Sequence, residues 1–136
     1  MTGEFVDTNI VVYAHALDAG ERHKLSVALM KKLSTDGSGV LSTQVLVEFY
    51  NITTRKLKMT SEEAEIAISD LSKWQLHRPT HGDIIKAIQL QRRYQLAWWD
   101  AMIVNSAIQT GSRILWSEDM QAGQRFETVT IRNPFA

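Results

Sequence analysis

The segment from residue 98 to residue 116 reads WWDAMIVNSAIQTGSRILW and joins a helix to a strand. The part up to Thr110 favours a helix, because Gly111 is the residue type that commonly ends a helix in the left-handed conformation. Residues 113–116, Arg-Ile-Leu-Trp, are the clearest strand of the sequence. This unit of helix, glycine and strand is typical of α/β proteins.

Short strands and helices alternate on both sides of this segment, with no repeat and no linker. Further strands are predicted at residues 3–6, 40–41, 75–77 and 128–131, the last of them as an edge strand. Further helices are predicted at residues 21–34 and 43–57, and after the capping boxes Thr60–Glu63 and Thr80–Asp83. Such alternation predicts a parallel sheet covered by helices, in which ligands bind beyond the carboxyl ends of the strands.

Composition limits the class of protein. The 136 residues are 44% hydrophobic, which predicts a single domain over residues 1–136 and excludes disorder for most of the chain. No cysteine is present, so there is no disulfide, thiolate nucleophile or cysteine-bound metal. The longest apolar run, residues 10–14, is far shorter than the roughly 18 residues that span a bilayer. With no secretory signal visible, we expect a cytoplasmic protein without membrane contact.

The net charge of zero argues against a protein that holds nucleic acid by bulk electrostatics. Any nucleic-acid contact must therefore be local. Basic clusters at Lys31–Lys32, Arg55–Lys58 and Arg92–Arg93 are candidates, but each is more simply a solvated helix face.

Four acidic residues lie in apolar surroundings, where an unpaired charge is costly. Asp7 follows the first strand, and Glu48 interrupts an apolar stretch of the helix at residues 43–57. Asp100 lies in the apolar sequence that begins the helix at residue 98, and Asp119 follows the strand at residues 113–116. In a parallel sheet all four can reach the same end.

Each acid has a purely structural interpretation. Asp7 and Asp100 are candidate N-caps, and Glu48 is a candidate boundary residue that reaches water or a basic side chain. Near Asp119, Ser117 is an equally good N-cap and Glu118 is a neighbouring competitor. The convergence of the four acids, rather than any one of them, therefore carries the functional hypothesis.

A carboxylate cluster of this kind needs a cation, because like charges repel and burial raises their pKa values. No Lys or Arg lies within four residues of Asp7 or Asp100, so a divalent cation is the natural partner. Oxygen ligands favour Mg²⁺ or Mn²⁺. His77 and His81 do not compete as a helical metal pair, because Pro79 separates them.

A carboxylate-held Mg²⁺ binds phosphate oxygens and activates water. The sequence has no P-loop and no GxGxxG motif, so no nucleotide cofactor is indicated. Hydrolysis of a phosphodiester without a covalent intermediate is the simplest reaction that these residues support.

The sequence resembles PIN-domain proteins, in particular the VapC-type ribonuclease toxins of toxin–antitoxin pairs. The matching stretches are FVDTNIVVY at residues 5–13, LVEF at 46–49, WDAMI at 99–103 and LWSED at 115–119. The order and spacing of the four acids are typical of the family, and the resemblance covers nearly the whole chain.

The resemblance implies roles for individual residues. Asp7, Asp100 and Asp119 would hold Mg²⁺ or Mn²⁺ directly or through water. Glu48 would complete the acidic pocket and orient a metal-bound water or a second ion. The remaining matches are supporting positions: Thr8 and Ser117 would place hydroxyls near the site, and Asn9 would position the Asp7 loop.

The resemblance also implies a fold, a substrate and partners. The fold would be a PIN-like three-layer α/β/α sandwich with a central, mostly parallel sheet of four to five strands. Family members cut single-stranded RNA, are typically homodimers, and are neutralised by a small antitoxin whose tail enters the acidic groove. Trp98 and Trp99 are bulky for this position, and they are either core residues or part of a groove for a base or an antitoxin side chain.

The main hypothesis is therefore a metal-dependent endoribonuclease that acts as a toxin. One alternative is a PIN-like scaffold that binds RNA or a protein partner and cleaves weakly or not at all. Another is a metal-dependent phosphatase of the haloacid-dehalogenase kind. Those enzymes use an Asp-x-Asp pair after the first strand, whereas Asn9 occupies the second position here.

Overall fold

Six strands form one sheet in the computed structural model, which describes residues 2–136. The order of the strands across the sheet is β3-β2-β1-β4-β6-β5, numbered along the chain. Their bounds are β1 Glu4–Val6, β2 Gly39–Ser42, β3 Gln75–His77, β4 Ile114–Trp116, β5 Arg125–Phe126 and β6 Val129–Arg132. The helices are α1 Thr8–Tyr13, α2 Glu21–Asp36, α3 Thr43–Lys56, α4 Ser61–Leu71, α5 His81–Tyr94 and α6 Trp98–Gln109.

The strand pairing confirms a mostly parallel sheet. All neighbouring strands run parallel except β5 and β6, which are antiparallel. The sheet has one strand more than the four to five predicted, because β5 has only two residues and leaves no recognisable pattern in the sequence. The prediction that residues 128–131 form an edge strand is wrong, since β6 lies between β4 and β5.

Helices cover both faces of the sheet. Every residue of β1 and β2 is buried, which requires packing on each side of these strands. One core cluster includes Phe5, Leu41, Leu115 and Ile131, which come from four adjacent strands of the sheet, and Phe49 of α3; all five are fully buried. This arrangement confirms the α/β/α sandwich.

The predicted helix boundaries are largely confirmed by their caps. Thr60 and Glu63 form the reciprocal bonds of a capping box at α4, and Thr80 and Asp83 do the same at α5. Gly111 follows α6 with a left-handed φ of 69°, a conformation that glycine adopts without steric cost. Within residues 2–136, no helix combines the length and apolar character needed to cross a bilayer.

The order of the strands places the functional site. β1 is central, and its neighbours β2 and β4 lie on opposite sides of it. The chain leaves β1 to form β2 on one side and later returns to form β4 on the other. The carboxyl end of β1 is thus a topological switch point, where open α/β sheets commonly bind ligands.

Candidate active site

A cavity of about 320 Å³ at the carboxyl end of β1 is lined by Asp7, Glu48, Asp100 and Asp119. The structure therefore brings the four predicted acids to one hollow. The other lining residues are neutral, namely Thr8, Asn9, Gln44, Asn51, Ile52, Trp99 and Ile103. Within the described part of the chain, no Lys, Arg or His lines this cavity, so its carboxylates have no local counter-charge.

Asp7 is both a helix cap and a cavity residue. It directly follows β1, and its Oδ1 accepts a hydrogen bond of 2.7 Å from the backbone N–H of Thr8 at the start of α1. Its side chain is almost wholly buried. Burial raises the pKa of Asp7 to about 7; the hydrogen bonds from Thr8 and Ser117 oppose this shift, and the charges of Asp100 and Asp119 add to it.

Hydrogen bonds join the loop after β1 to the loop after β4. The Ser117 hydroxyl donates to Asp7 Oδ2 at 2.9 Å and accepts from the Asp119 N–H at 3.2 Å. Asn9 Nδ2 donates to Asp119 Oδ2 at 2.9 Å. No helix begins at residues 117–120, so Ser117 is not an N-cap. The expectation of apolar surroundings is wrong for Asp119, which is exposed at the cavity mouth.

Glu118 points away from the cavity. Its Oε1 accepts a hydrogen bond of 2.7 Å from the Tyr13 hydroxyl, and its Oε2 accepts one of 2.7 Å from Arg22 Nε. The Arg22 guanidinium also lies 5.2 Å from the centre of the Phe135 ring. Of the two adjacent acids, Asp119 alone therefore faces the cavity, while Glu118 anchors the loop.

Glu48 lies on α3 at the edge of its buried face. Val45 and Phe49 are fully buried, whereas Glu48 is half-buried, as the predicted helical stripe requires. The Thr8 hydroxyl donates to Glu48 Oε1 at 2.5 Å. Glu48 is thus a boundary residue, but within residues 2–136 no basic side chain pairs with it. Its hydrogen-bond partners are Thr8 and, at 3.5 Å, Gln44 Nε2.

Asp100 is the third residue of α6 and not its N-cap. The N-cap is Ala97, whose side chain makes no capping bond, so that alternative for Asp100 is wrong. Among residues 2–136, no side chain or N–H hydrogen-bonds to the half-buried Asp100 carboxylate. Burial raises its pKa, and the charges of Asp119 and Glu48 raise it further.

A search against protein families supplies the decisive comparison, since the model of the PIN domain matches residues 5–125. The chain belongs to the PIN domain family. A search of curated proteins finds no match.

Solved structures share this PIN fold at low sequence identity. VapC20 of Mycobacterium tuberculosis, a toxin that cleaves the sarcin–ricin loop, is 16% identical with a TM-score of 0.63 over 83% of this chain and 87% of that chain. A toxin–antitoxin complex from Klebsiella pneumoniae is 16% identical with a TM-score of 0.67 over 97% and 98%. DNA-bound VapBC from Salmonella typhimurium is 16% identical with a TM-score of 0.68 over 98% and 99%. These values show a common fold.

The residue types of the PIN cavity fit a hard divalent cation. Its four carboxylates form no ion pair within residues 2–136, and all its candidate ligands are oxygens. The side-chain positions fit less well, because no three acidic or histidine residues of the described chain are grouped closely enough to bind a metal. Asp7, Glu48 and Asp119 instead accept hydrogen bonds from Ser117, Thr8 and Asn9.

The sequence interpretation of this PIN domain missed Gln44 and Asn51 as cavity residues. They lie four residues before and three residues after Glu48 on α3, so helical periodicity was a usable signal for both. The anchoring of Glu118 by Tyr13 and Arg22 has no comparable signal, since the three residues come from distant segments. The supporting positions Thr8, Asn9 and Ser117 all contact one of the four acids.

Proposed function

We propose that this PIN domain is a Mg²⁺- or Mn²⁺-dependent endoribonuclease that hydrolyses RNA phosphodiester bonds and acts as the toxin of a toxin–antitoxin pair. One observation carries the proposal: four carboxylates from four separate segments line one cavity, and no basic side chain among residues 2–136 lines it with them. A site of this charge attracts a divalent cation and, through it, a phosphate group.

The proposed roles follow from position. Asp7, Asp100 and Asp119 would hold the cation. A bound Mg²⁺ or Mn²⁺ supplies charge neutralisation at the phosphate and lowers the pKa of coordinated water. Glu48 orients the attacking water, and the Thr8 hydroxyl fixes Glu48 by its bond to Oε1.

Three neutral side chains preorganise the acids in this proposal. Ser117 fixes Asp7, Asn9 fixes Asp119, and Thr8 fixes Glu48. Each removes rotational freedom from a carboxylate before any ligand binds. Such preorganisation lowers the cost of assembling the charged site at the moment of reaction.

The proposed partners are an RNA substrate, a small antitoxin protein and a second copy of the chain. The antitoxin is supported by the structural neighbours from Klebsiella pneumoniae and Salmonella typhimurium, which are toxin–antitoxin complexes. It is also supported by charge, because an acidic cavity without its own cation accepts a basic side chain from a partner.

The alternatives are less well supported. Asn9 donates a hydrogen bond to Asp119, so it tethers a loop and does not provide the second acid of a phosphatase pair. A non-cleaving scaffold has no need to retain four acids around one cavity, given the cost of burying Asp7.

Cleavage of a 5′-labelled single-stranded RNA tests the proposal. The wild-type protein is incubated with Mg²⁺, with Mn²⁺ or with EDTA, alongside Asp100→Asn and the exposed control Glu65→Gln. We expect cleavage that requires a cation, a loss of about 100-fold or more in Asp100→Asn, and no loss in Glu65→Gln. Intact RNA under all conditions, or full activity of Asp100→Asn, contradicts the proposal. Parallel hydrolysis of a small phosphate ester distinguishes a phosphatase.

A further inference from the structure

A second cavity adjoins the acidic one. It is a groove of about 660 Å³ that shares Gln44, Glu48, Asn51 and Trp99 with the acidic cavity. The groove runs between α3 and the start of α6, and its remaining walls are mostly apolar. They are formed by Thr43, Val47, Tyr50, Pro79 and Met102.

Two aromatic side chains stand exposed in this groove. Trp99 is 60% exposed and Tyr50 is 41% exposed, while the other three tryptophans of the chain are half-buried. Trp99 immediately precedes Asp100 and lines both the groove and the acidic cavity. The backbone carbonyl of Trp99 accepts a hydrogen bond of 3.4 Å from Gln44 Nε2, which ties the start of α6 to α3.

The residues that line the groove favour an uncharged ligand with polar edges. Within the described chain no Lys or Arg lines it, and Glu48 at the border is its one charged residue, so a phosphate has no partner there. Two amides, Gln44 and Asn51, lie at the same border. Asn51 is exposed, and a purely apolar occupant would cover its amide without offering it a hydrogen bond.

We propose that this groove is a base-binding subsite, in which an unpaired nucleobase next to the scissile phosphate stacks on Trp99 and Tyr50. A nucleobase is uncharged, has π faces that stack on aromatic side chains, and carries hydrogen-bonding edges that suit the amides. The inference rests on the proposed ribonuclease function, since that function brings RNA to the adjoining cavity.

The subsite determines where the enzyme cuts. A base stacked inside a duplex is not free to enter the groove, so cleavage requires a single-stranded or flipped nucleotide beside the acids. A stacked base contributes roughly 5- to 150-fold in kcat/KM, as expected for one base on an aromatic side chain.

The first test combines protein variants with modified RNA. The cleavage position of a single-stranded oligomer is mapped with wild-type protein, and the base on either side of that position is then removed. Trp99→Ala should slow cleavage of the intact oligomer by roughly 5- to 150-fold, and Trp99→Phe should restore most of the rate. Ile66→Ala, which changes a side chain of similar exposure on α4, should have no effect.

The subsite predicts that the two defects are not additive. One of the two abasic substrates should be cleaved as slowly by wild-type protein as the intact oligomer is by Trp99→Ala. Trp99→Ala should then lose no further rate on that substrate. If Trp99→Ala slows cleavage of each abasic substrate by the same factor as cleavage of the intact oligomer, the inference is wrong.

The second test measures binding without cleavage. Adenosine or uridine, which carry no charge and so are not repelled by the acids, are titrated into metal-free protein while the indole N–H signals are followed by NMR. One signal should shift, and that signal should be missing in Trp99→Phe. No shift at millimolar nucleoside counts against the subsite.

The outcomes separate the subsite from the activity. If the wild type cleaves RNA and Trp99→Ala cleaves it equally well, the proposal of a base-binding subsite is wrong, but the proposed ribonuclease function stands. If Trp99→Ala keeps full cleavage but loses binding to a protein partner, the groove is a protein-docking surface. If wild-type protein does not cleave RNA, both proposals fall.

Discussion

The Ser117 hydroxyl donates a hydrogen bond to Asp7 Oδ2 across 110 positions of sequence. The parallel pairing of β1 with β4 aligns Val6 with Trp116, and the next residue on each strand is Asp7 and Ser117. The register of two buried strands therefore places a hydroxyl against a carboxylate. The rigid sheet therefore fixes the relative positions of these two side chains, as a preorganised site requires.

Replacing Asp7 with Asn should stabilise the metal-free protein at neutral and alkaline pH. Burial raises the pKa of Asp7 from 3.8 to about 7, so the native state favours the protonated carboxyl. The stability that this proton provides is complete below the unfolded pKa and is lost as pH rises through about 7. At pH 8 in EDTA, the free energy of unfolding of Asp7→Asn should exceed that of the wild-type protein by about 2–4 kcal/mol.

Urea unfolding of both proteins at pH 4 and pH 8 checks this expectation. At pH 4 Asp7 is largely protonated in the native state, so the difference between Asp7→Asn and wild type should nearly vanish. A stability difference that is equal at both pH values would show that the charge of Asp7 is not its cause.

Replacing Ser117 with Ala should reduce activity more than its effect on stability explains. The change removes the donor to Asp7 Oδ2 and the acceptor of the Asp119 N–H. We expect a loss of about 1–2 kcal/mol in unfolding free energy and about 10-fold in RNA cleavage. Ser112→Ala is a matched control, because Ser112 is also fully buried but lies before β4, at the opposite end of the strand. It should lose stability and keep activity.

Much of this site could be predicted because the acids follow simple local patterns. Asp7 and Asp119 come after short apolar strands, and Asp100 and Glu48 interrupt apolar helical stretches. Parallel pairing then brings the carboxyl ends of those strands to one edge. The pattern thus specifies which residues converge, since it depends on the alternation of strands and helices and not on exact distances.

The parts that could not be predicted depend on tertiary contacts. Nothing local distinguishes Glu118 from Asp119, and the difference comes from Tyr13 and Arg22, which hold Glu118 away from the cavity. The internal position of β6 depends on β5, whose two residues are too few to show periodicity. Local sequence cannot encode such long-range choices.

Replacing Arg22 with Ala should weaken activity through the loop that carries Asp119. Arg22 is exposed, so water screens its ion pair with Glu118, and the pair contributes little to the free energy of unfolding. Glu118 then keeps only its hydrogen bond from Tyr13, so the loop that carries Asp119 is held less firmly. We expect a loss of about 3- to 10-fold in RNA cleavage with little change in melting temperature. Lys24→Ala, which removes an exposed pair with Glu21, is the control and should leave both unchanged. An Arg22→Ala variant with wild-type activity would show that Arg22 is not needed to position Asp119.

Addition of Mg²⁺ or Mn²⁺ should raise the melting temperature of the wild-type protein and bind more weakly as pH falls. A ligand that binds the native state stabilises it by mass action, and the four acids lie around one cavity without a basic side chain among the described residues. Protons compete for the same oxygens, and the raised pKa of Asp7, about 7, places that competition between about pH 8 and pH 6. Calorimetric titration at these two pH values should therefore show affinity falling with pH and protons released on binding. Asp100→Asn should lose the thermal shift, whereas Glu65→Gln should keep it. If affinity is the same at both pH values, Asp7 is not among the ligands.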